Sequence, residues 1–219
     1  MTDFSQLTDF TSTIKFKKKI CFLDIDGVLN GYNRWNTLGW NIVCKFNSKK
    51  LRNWYRELTD PCGVHENKVK LLAKIVHRTG AKVVMSSCWR AAYWKFVNGE
   101  SDSTDRVKEL ADLLNKYNIE VIDITPKSPR GRRDDEIIAW LSKHEDEVDN
   151  FVILDDERFD LECFADKELV QTSSVPKGVM IKGFDSEDTG LKRKHVKQAI
   201  RILNGEKLWQ YLKIKMKTN

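Results

Sequence analysis

The sequence has no long apolar run, few prolines and few cysteines, and each of these absences excludes a class of protein. No apolar stretch reaches the roughly 18 to 20 residues of a membrane span, and the first ten residues contain no signal-peptide core. Only 4 prolines occur among 219 residues, of which 41% are hydrophobic and 32% charged, so a disordered or collagenous chain is excluded. We therefore expect a single soluble, cytoplasmic domain over residues 1–219 that binds no membrane.

The cysteine pattern and three missing motifs exclude further chemistries. The five cysteines form no C-x-x-C pair, which argues against a disulfide framework, and the Cys62/His65 pair has no partner to complete a zinc site. No cysteine is followed by Arg at the sixth position, so a cysteine phosphatase is excluded. The P-loop G-x-x-x-x-G-K-[ST] and the dinucleotide fingerprint G-x-G-x-x-G are also absent.

Short apolar runs alternate with helical periodicity along the chain, which predicts an α/β fold with a parallel sheet covered by helices. Strands are predicted at Lys19–Asp24, Lys82–Ser86, Glu120–Ile124, Phe151–Leu154, Leu169–Gln171 and Val179–Ile181. Helices are predicted at Glu66–His77, from about Thr104, at Asp134–Lys143 and from Leu191. The aromatic segment 31–65 fits no simple crossover and is interpreted as an insertion.

Three of the predicted strands end in reactive polar groups. The first is followed by Asp24 and Asp26, the second by Ser86 and Ser87, and the fourth by the pair 155–156, both aspartates. The carboxyl ends of parallel strands meet at one edge of a sheet, where ligands of open α/β folds bind. Four carboxylates collected there would repel one another, and a bound divalent cation would offset that repulsion. Oxygen ligands favour Mg²⁺ as this cation.

These residues carry a resemblance to a known family. The run Asp24-Ile25-Asp26-Gly27-Val28-Leu29-Asn30 resembles the first motif of the haloacid dehalogenase (HAD) superfamily, Ser86 the second and Asp155-Asp156 the fourth. More narrowly, the chain is similar to the small HAD phosphatases of nucleic-acid repair proteins and to the phosphatase half of phage polynucleotide kinase/phosphatase. The resemblance implies a three-layer, Rossmann-like HAD fold with a parallel central sheet, in which segment 31–65 is a small cap after the first strand.

The resemblance also implies roles for individual residues. Asp24 would attack phosphorus to form an aspartyl-phosphate, and Asp26 would act as general acid and then general base. Mg²⁺ would be held by Asp24, Asp26 through its backbone carbonyl, Asp155 and Asp156. The phosphate would be bound by Ser86 and Ser87 and by a cation, for which Arg133 is preferred, followed by Arg132 and Arg90. The family's usual lysine is missing here, so the cation is the least typical part of the site.

Aromatic and basic residues indicate which phosphate ester is bound. The cap and the segment after Ser86 are rich in rings that could stack on a nucleobase or pack as a small core of their own. We expect weak substrate contacts from Asn30, Arg34, Trp35 and Trp89. A nucleotide or a phosphorylated nucleic-acid end is the expected partner. Nucleoside monophosphates are favoured, with a polynucleotide 3′-end or a sugar phosphate as alternatives. A non-enzymatic nucleic-acid-binding protein on a HAD scaffold is the alternative of another class.

The net charge of +6 is concentrated at the carboxyl terminus. Residues 191–219 contain nine Lys or Arg and one Glu, together with apolar residues at helical spacing. This pattern predicts a basic helical tail that packs one face on the domain and exposes the other. Weak contact of that exposed face with nucleic acid is the alternative role of the tail.

Overall fold

The computed structural model describes residues 17–30, 45–46, 48, 50–51, 63–100, 104–165, 167–172 and 190–205. Within these ranges the chain forms a five-stranded, fully parallel sheet in the order β3-β2-β1-β4-β5. The strands are β1 (Lys18–Leu23), β2 (Lys82–Met85), β3 (Val121–Ile124), β4 (Val148–Asp155) and β5 (Leu169–Gln171). The central position of β1 and its neighbours β2 and β4 places the three predicted motifs side by side.

Five α-helices belong to the described part of the chain. They are α1 (Glu66–Thr79), α2 (Arg90–Val97), α3 (Asp105–Lys116), α4 (Arg133–Lys143) and α5 (Arg193–Leu203). A short 3₁₀ helix, Glu162–Phe164, follows β4. None of the helices in these ranges has the length and apolar character that a bilayer crossing requires.

Alternating strand residues build two separate cores, one on each face of the sheet. Cys21 and Leu23 of β1 face a core formed with α1, α2, α3 and α5, whereas Ile20 and Phe22 face a second core formed with α4. The period of two along a strand explains this division, because successive side chains point to opposite faces. The result is the three-layer α/β architecture that the sequence predicts, with helices on both sides of the sheet.

Most element positions agree with the predictions to within a few residues. α1 ends at Gly80, whose φ of 70° is the left-handed conformation of a helix cap. In α5, Val196, Ala199 and Leu203 are buried, so the predicted basic helix packs on the domain over its described length. The predicted strand 179–181, most of the cap 31–65 and the tail beyond residue 205 lie outside the described residues.

The sequence pattern predicts no helix at α2 and allows the rings of this segment either to stack on a nucleobase or to pack as a small core. Tyr93 is buried in the core that faces α1, and Trp89 and Phe96 pack against the same core. Their spacing of four and three residues is that of one helix face. The structure therefore gives these rings a packing role.

Candidate functional site

The residues that follow β1, β2 and β3 are each held by a neighbouring strand. The backbone N–H of Asp24 donates to the carbonyl of Leu154 at 2.9 Å, and that of Ser86 donates to Leu23 at 2.9 Å. The N–H of Thr125, which follows β3, donates to Met85 at 3.0 Å. The ladder of hydrogen bonds thus continues one residue beyond the strands and fixes the site residues on a rigid edge.

The loop after β1 is attached to three distant segments of the chain. The carbonyl of Gly27 accepts a hydrogen bond from the Thr172 hydroxyl at 2.7 Å. The next two carbonyls, those of residues 28 and 29, accept the backbone N–H groups of Leu191 and His65, both at 2.9 Å. The segment that leads out of the cap and the one that leads into α5 therefore both hold this loop in place.

Three aspartates form a buried cluster at the edge. Each of Asp24, Asp155 and Asp156 offers a carboxylate oxygen, and these oxygens lie within 4.8 Å of one another. None of the three residues is more than 4% exposed. Such proximity of acidic groups is expensive in a buried place unless cations compensate their charge.

Arg133, the first residue of α4, supplies one compensating charge. Its Nη1 lies 2.8 Å from Oδ1 of Asp24 and 3.0 Å from Oδ2 of Asp155. The backbone N–H of Arg133 donates to the Asp160 carboxylate at 2.8 Å, which anchors the start of the helix. Although burial acts to lower it, the pKa of Arg133 is raised above its usual value by the charges of Asp24 and Asp155.

One guanidinium does not neutralise the cluster, and the aspartate pKa values reflect this. Burial raises the pKa of Asp155 to about 8 and that of Asp156 to about 7, with a further contribution from the charge of Asp24 to both. Burial also raises the pKa of Asp24 itself, an effect that Arg133 and the Ser87 hydroxyl partly offset. The cluster therefore favours the binding of protons or of another cation.

The residues present fit a divalent metal ion. Oδ1 of Asp155 accepts the N–H of Glu157 at 2.9 Å, and its buried Oδ2 lies 3.0 Å from Nη1 of Arg133 without the geometry of a hydrogen bond. A single guanidinium leaves an excess of negative charge on three buried carboxylates, and a divalent cation would offset that charge. The donor set consists of oxygens alone, which suits Mg²⁺ better than a transition metal.

Asp26 lies beside the cluster and has a different environment. Its Oδ1 accepts the Asn30 amide at 2.8 Å, and its Oδ2 accepts the Trp89 indole N–H at 3.1 Å and the Cys88 thiol at 3.4 Å. The side-chain oxygen of Asn30 in turn accepts the N–H of Gly27 at 2.8 Å. Asn30 and Trp89, predicted as substrate contacts, therefore orient Asp26 in this structure.

The two serines after β2 are both fully buried. The hydroxyl of Ser86 has no hydrogen-bond partner within the described residues, which leaves it free for a ligand oxygen. The hydroxyl of Ser87 accepts the N–H of Trp89 at 3.3 Å and also bonds to Asp24. Ser86 is therefore the better candidate of the two for a phosphate contact.

The other predicted phosphate ligands have protein partners instead. The guanidinium of Arg90 donates to the carbonyls of Thr125 and Ser87, both at 3.0 Å, and to the Glu136 carboxylate at 2.7 Å. Arg132 is paired with Asp134 on the surface of α4. These contacts favour a structural role for both arginines. Arg34 and Trp35 lie outside the described residues.

Two neighbours of the site were not predicted as functional. The first is Cys88, which is exposed and contacts Asp26, 62 residues away in sequence. The second is Thr125, which directly follows β3. The sequence signal that could have identified Thr125 as a site residue is its position: like Ser86, it directly follows a strand of the parallel sheet.

Comparison with known families agrees with the geometry. A family model described as the HAD domain in Swiss Army Knife RNA repair proteins matches residues 20–177, more than two thirds of the chain. No curated protein and no solved structure shows significant similarity to the chain. The match includes the predicted motifs and all five strands except the first two residues of β1, and it confirms the resemblance to HAD proteins of nucleic-acid repair. The chain belongs to the HAD domains of Swiss Army Knife RNA repair proteins.

Proposed function

We propose that the protein is a Mg²⁺-dependent phosphomonoesterase that removes a phosphate from a nucleic-acid end through an aspartyl-phosphate on Asp24. The observation that carries the proposal is the arrangement of Asp24, Asp155 and Asp156 within 4.8 Å of one another, with Arg133 on two of them. This arrangement argues against a protein that only binds nucleic acid. An excess of carboxylates would repel the phosphates of such a ligand.

Asp24 is the proposed nucleophile. One of its carboxylate oxygens would attack phosphorus while the bond from phosphorus to the ester oxygen breaks, so the phosphoryl group is transferred to Asp24. The Ser87 hydroxyl and Arg133 hold the carboxylate in place. The unpartnered hydroxyl of Ser86 would donate a hydrogen bond to a phosphoryl oxygen.

Asp26 is the proposed acid and base. A protonated Asp26 would give its proton to the departing alcohol oxygen, and the resulting carboxylate would take a proton from the water that hydrolyses the aspartyl-phosphate. The second displacement releases inorganic phosphate and restores Asp24. The contacts of Asp26 with Asn30, Trp89 and Cys88 support this role because they fix the direction of its carboxylate.

The carboxylates of Asp24, Asp155 and Asp156 would hold the metal ion. When bound, Mg²⁺ shields the attacking carboxylate from the negative charge of the substrate and polarises the phosphoryl group. Arg133 supplies a second positive charge at the same place and is itself held by Asp160. In this proposal Arg133 takes the part of the lysine found in most HAD proteins.

The family description favours an RNA end as the substrate class. The preference for nucleoside monophosphates stays a prediction that neither the structure nor the comparisons confirm. The cap residues Arg34 and Trp35, which would contact a base, stay predictions as well. Nucleoside monophosphates are therefore the main alternative substrate with which nucleic-acid ends must be compared in the assay.

Phosphate release with Mg²⁺ should be measured for 3′- and 5′-phosphorylated RNA oligonucleotides, nucleoside monophosphates, sugar phosphates and p-nitrophenyl phosphate. We expect release from nucleic-acid ends that is lost in Asp24→Asn and with EDTA. Asp112→Asn, the same change on the exposed face of α3, is the control and should leave activity intact. Full Mg²⁺-dependent activity of Asp24→Asn would contradict the proposed role of Asp24.

A further inference from the structure

A groove of about 570 Å³ lies beside the candidate site and has no part in the chemistry described above. It is bounded by the start of α2, the end of β3 and the outer part of α4. β3 is the edge strand of the sheet within the described residues, and its last residues line the groove. The volume falls in the usual range for a small-ligand site, roughly 300 to 1,000 Å³.

The groove begins at the acid/base residue. Cys88 lines the groove, and its Sγ lies 3.4 Å from Oδ2 of Asp26. Asp26 is the residue that would protonate the leaving alcohol. The groove therefore starts at the point where the alcohol part of the bound substrate would extend away from the phosphate site.

The charges that line the groove are complementary to a polyanion. Lys127 and Lys143 line it with exposed side chains, and neither forms an ion pair within the described part of the chain. Among the described residues that line the groove, Asp123 alone is acidic, and its oxygens already accept the Trp140 indole N–H at 2.7 Å and the N–H of Ile124 at 2.8 Å. Both lysines are therefore available to an external anion.

An unpartnered hydroxyl adds a second observation. Thr125 is 1% exposed and lines the groove, and its Oγ1 has no hydrogen-bond partner among the described residues. A buried hydroxyl without a partner is costly, so such groups usually have a ligand or a water molecule. A phosphate or sugar oxygen in the groove would accept its hydrogen bond.

We propose that this groove binds the sugar-phosphate backbone of the strand whose terminal phosphate lies at Asp24. The inference rests on the proposed function and narrows its substrate class, because a free mononucleotide has no second phosphate to place near Lys127 and Lys143. The groove thus selects a polynucleotide end over a mononucleotide. The contacts are to the backbone, so the selection does not depend on base sequence.

The test compares wild type with the double variant Lys127→Gln/Lys143→Gln on a terminally phosphorylated RNA decamer and on p-nitrophenyl phosphate. We expect the ratio of the two kcat/KM values, decamer over small ester, to fall at least tenfold. Decamer binding should be measured by fluorescence anisotropy at several salt concentrations. The slope of log binding constant against log salt concentration should become less steep by about 1.4, which corresponds to two lost phosphate contacts. Thr125→Val should lower the same ratio several-fold without loss of thermal stability.

The control is Lys74→Gln/Lys197→Gln, which removes the same charge from exposed positions of α1 and α5. It should leave the ratio and the salt slope at the wild-type values. An equal change in both double variants, or no change in the groove variant, would overturn the inference. Absence of phosphate release from every ester by the wild-type protein would instead overturn the proposed function, and the binding measurement would still test the groove.

Discussion

Gly27 shows how a single backbone position can determine the geometry of the acidic cluster. Its φ is 72°, and a Cβ built on it would lie 2.3 Å from Cγ of Asp156. The carboxylate of Asp156 can thus approach the first-motif loop only because the residue there has no side chain. Gly99 has nearly the same φ, 70°, and a Cβ there would meet nothing within 4 Å.

Replacing Gly27 with Ala should displace Asp156 as well as strain the backbone. Both Gly27→Ala and Gly99→Ala should lose about 1 to 2 kcal/mol in the free energy of unfolding from the left-handed conformation. Only Gly27→Ala should also weaken Mg²⁺ binding, measured by isothermal titration calorimetry. Equal Mg²⁺ affinity in the two variants would show that Asp156 does not contribute to the metal site.

Sequence alone identified the residues of the cluster but not all of their neighbours. Asp24, Asp155 and Asp156 follow apolar strands, and parallel pairing brings such positions together whatever the details of packing. The contact of Asp26 with Cys88 joins residues far apart in sequence and depends on how α2 begins. Periodicity carries no information on such a contact, so the orienting roles of Asn30 and Trp89 became visible only in the structure.

At the scale of elements, Arg90 joins three parts of the fold. It begins α2, donates to the carbonyl after β3, and forms an ion pair with Glu136 of α4. Its side chain is 13% exposed and that of Glu136 is 6% exposed. The pair thus stabilises the wall shared by the site and the groove, and loss of one partner would leave a buried charge.

We expect Arg90→Met to lower the free energy of unfolding by about 3 kcal/mol, as for other broken buried ion pairs. Lys82→Met is the matched comparison, because the Lys82–Glu120 pair is exposed, and it should cost less than about 1 kcal/mol. Urea denaturation measures both. A stable Arg90→Met variant with a large rise in KM would favour the phosphate contact predicted from sequence.

The elements themselves were predictable where their pattern is regular. α1 and α3 have apolar residues at helical spacing and an evident start or stop, and the strands are compact apolar runs. α2 is only eight residues long, and its rings suggested stacking on a base. Aromatic residues serve both packing and ligand binding, so composition could not separate these two roles.

For the molecule as a whole, the buried cluster couples stability to pH and to metal. The pKa values of about 8 for Asp155 and about 7 for Asp156 exceed the value of about 3.9 expected in an unfolded chain. Between these limits the metal-free folded protein holds more protons than the unfolded chain. Its stability should therefore fall as pH rises from about 4 to about 8.

Bound Mg²⁺ must displace these protons, so its affinity should rise over the same pH range. We expect the increase in Tm caused by Mg²⁺ to be larger at pH 8 than at pH 6, measured by differential scanning calorimetry. The variant Asp155→Asn/Asp156→Asn should lose most of this dependence. A Mg²⁺ effect that is equal at both pH values in the wild type would contradict the placement of the metal at these carboxylates.

The central claim is that Asp24 becomes phosphorylated and that Asp26 allows the phosphate to leave. The most direct test is mass spectrometry of the acid-quenched protein after a single turnover of a phosphorylated RNA end, with wild type, Asp24→Asn and Asp26→Asn. The account predicts a phosphoryl group on the peptide that contains Asp24, retained longest in Asp26→Asn and absent in Asp24→Asn. Phosphate release by the wild type with no phosphorylated Asp24 in any of the three proteins would contradict it.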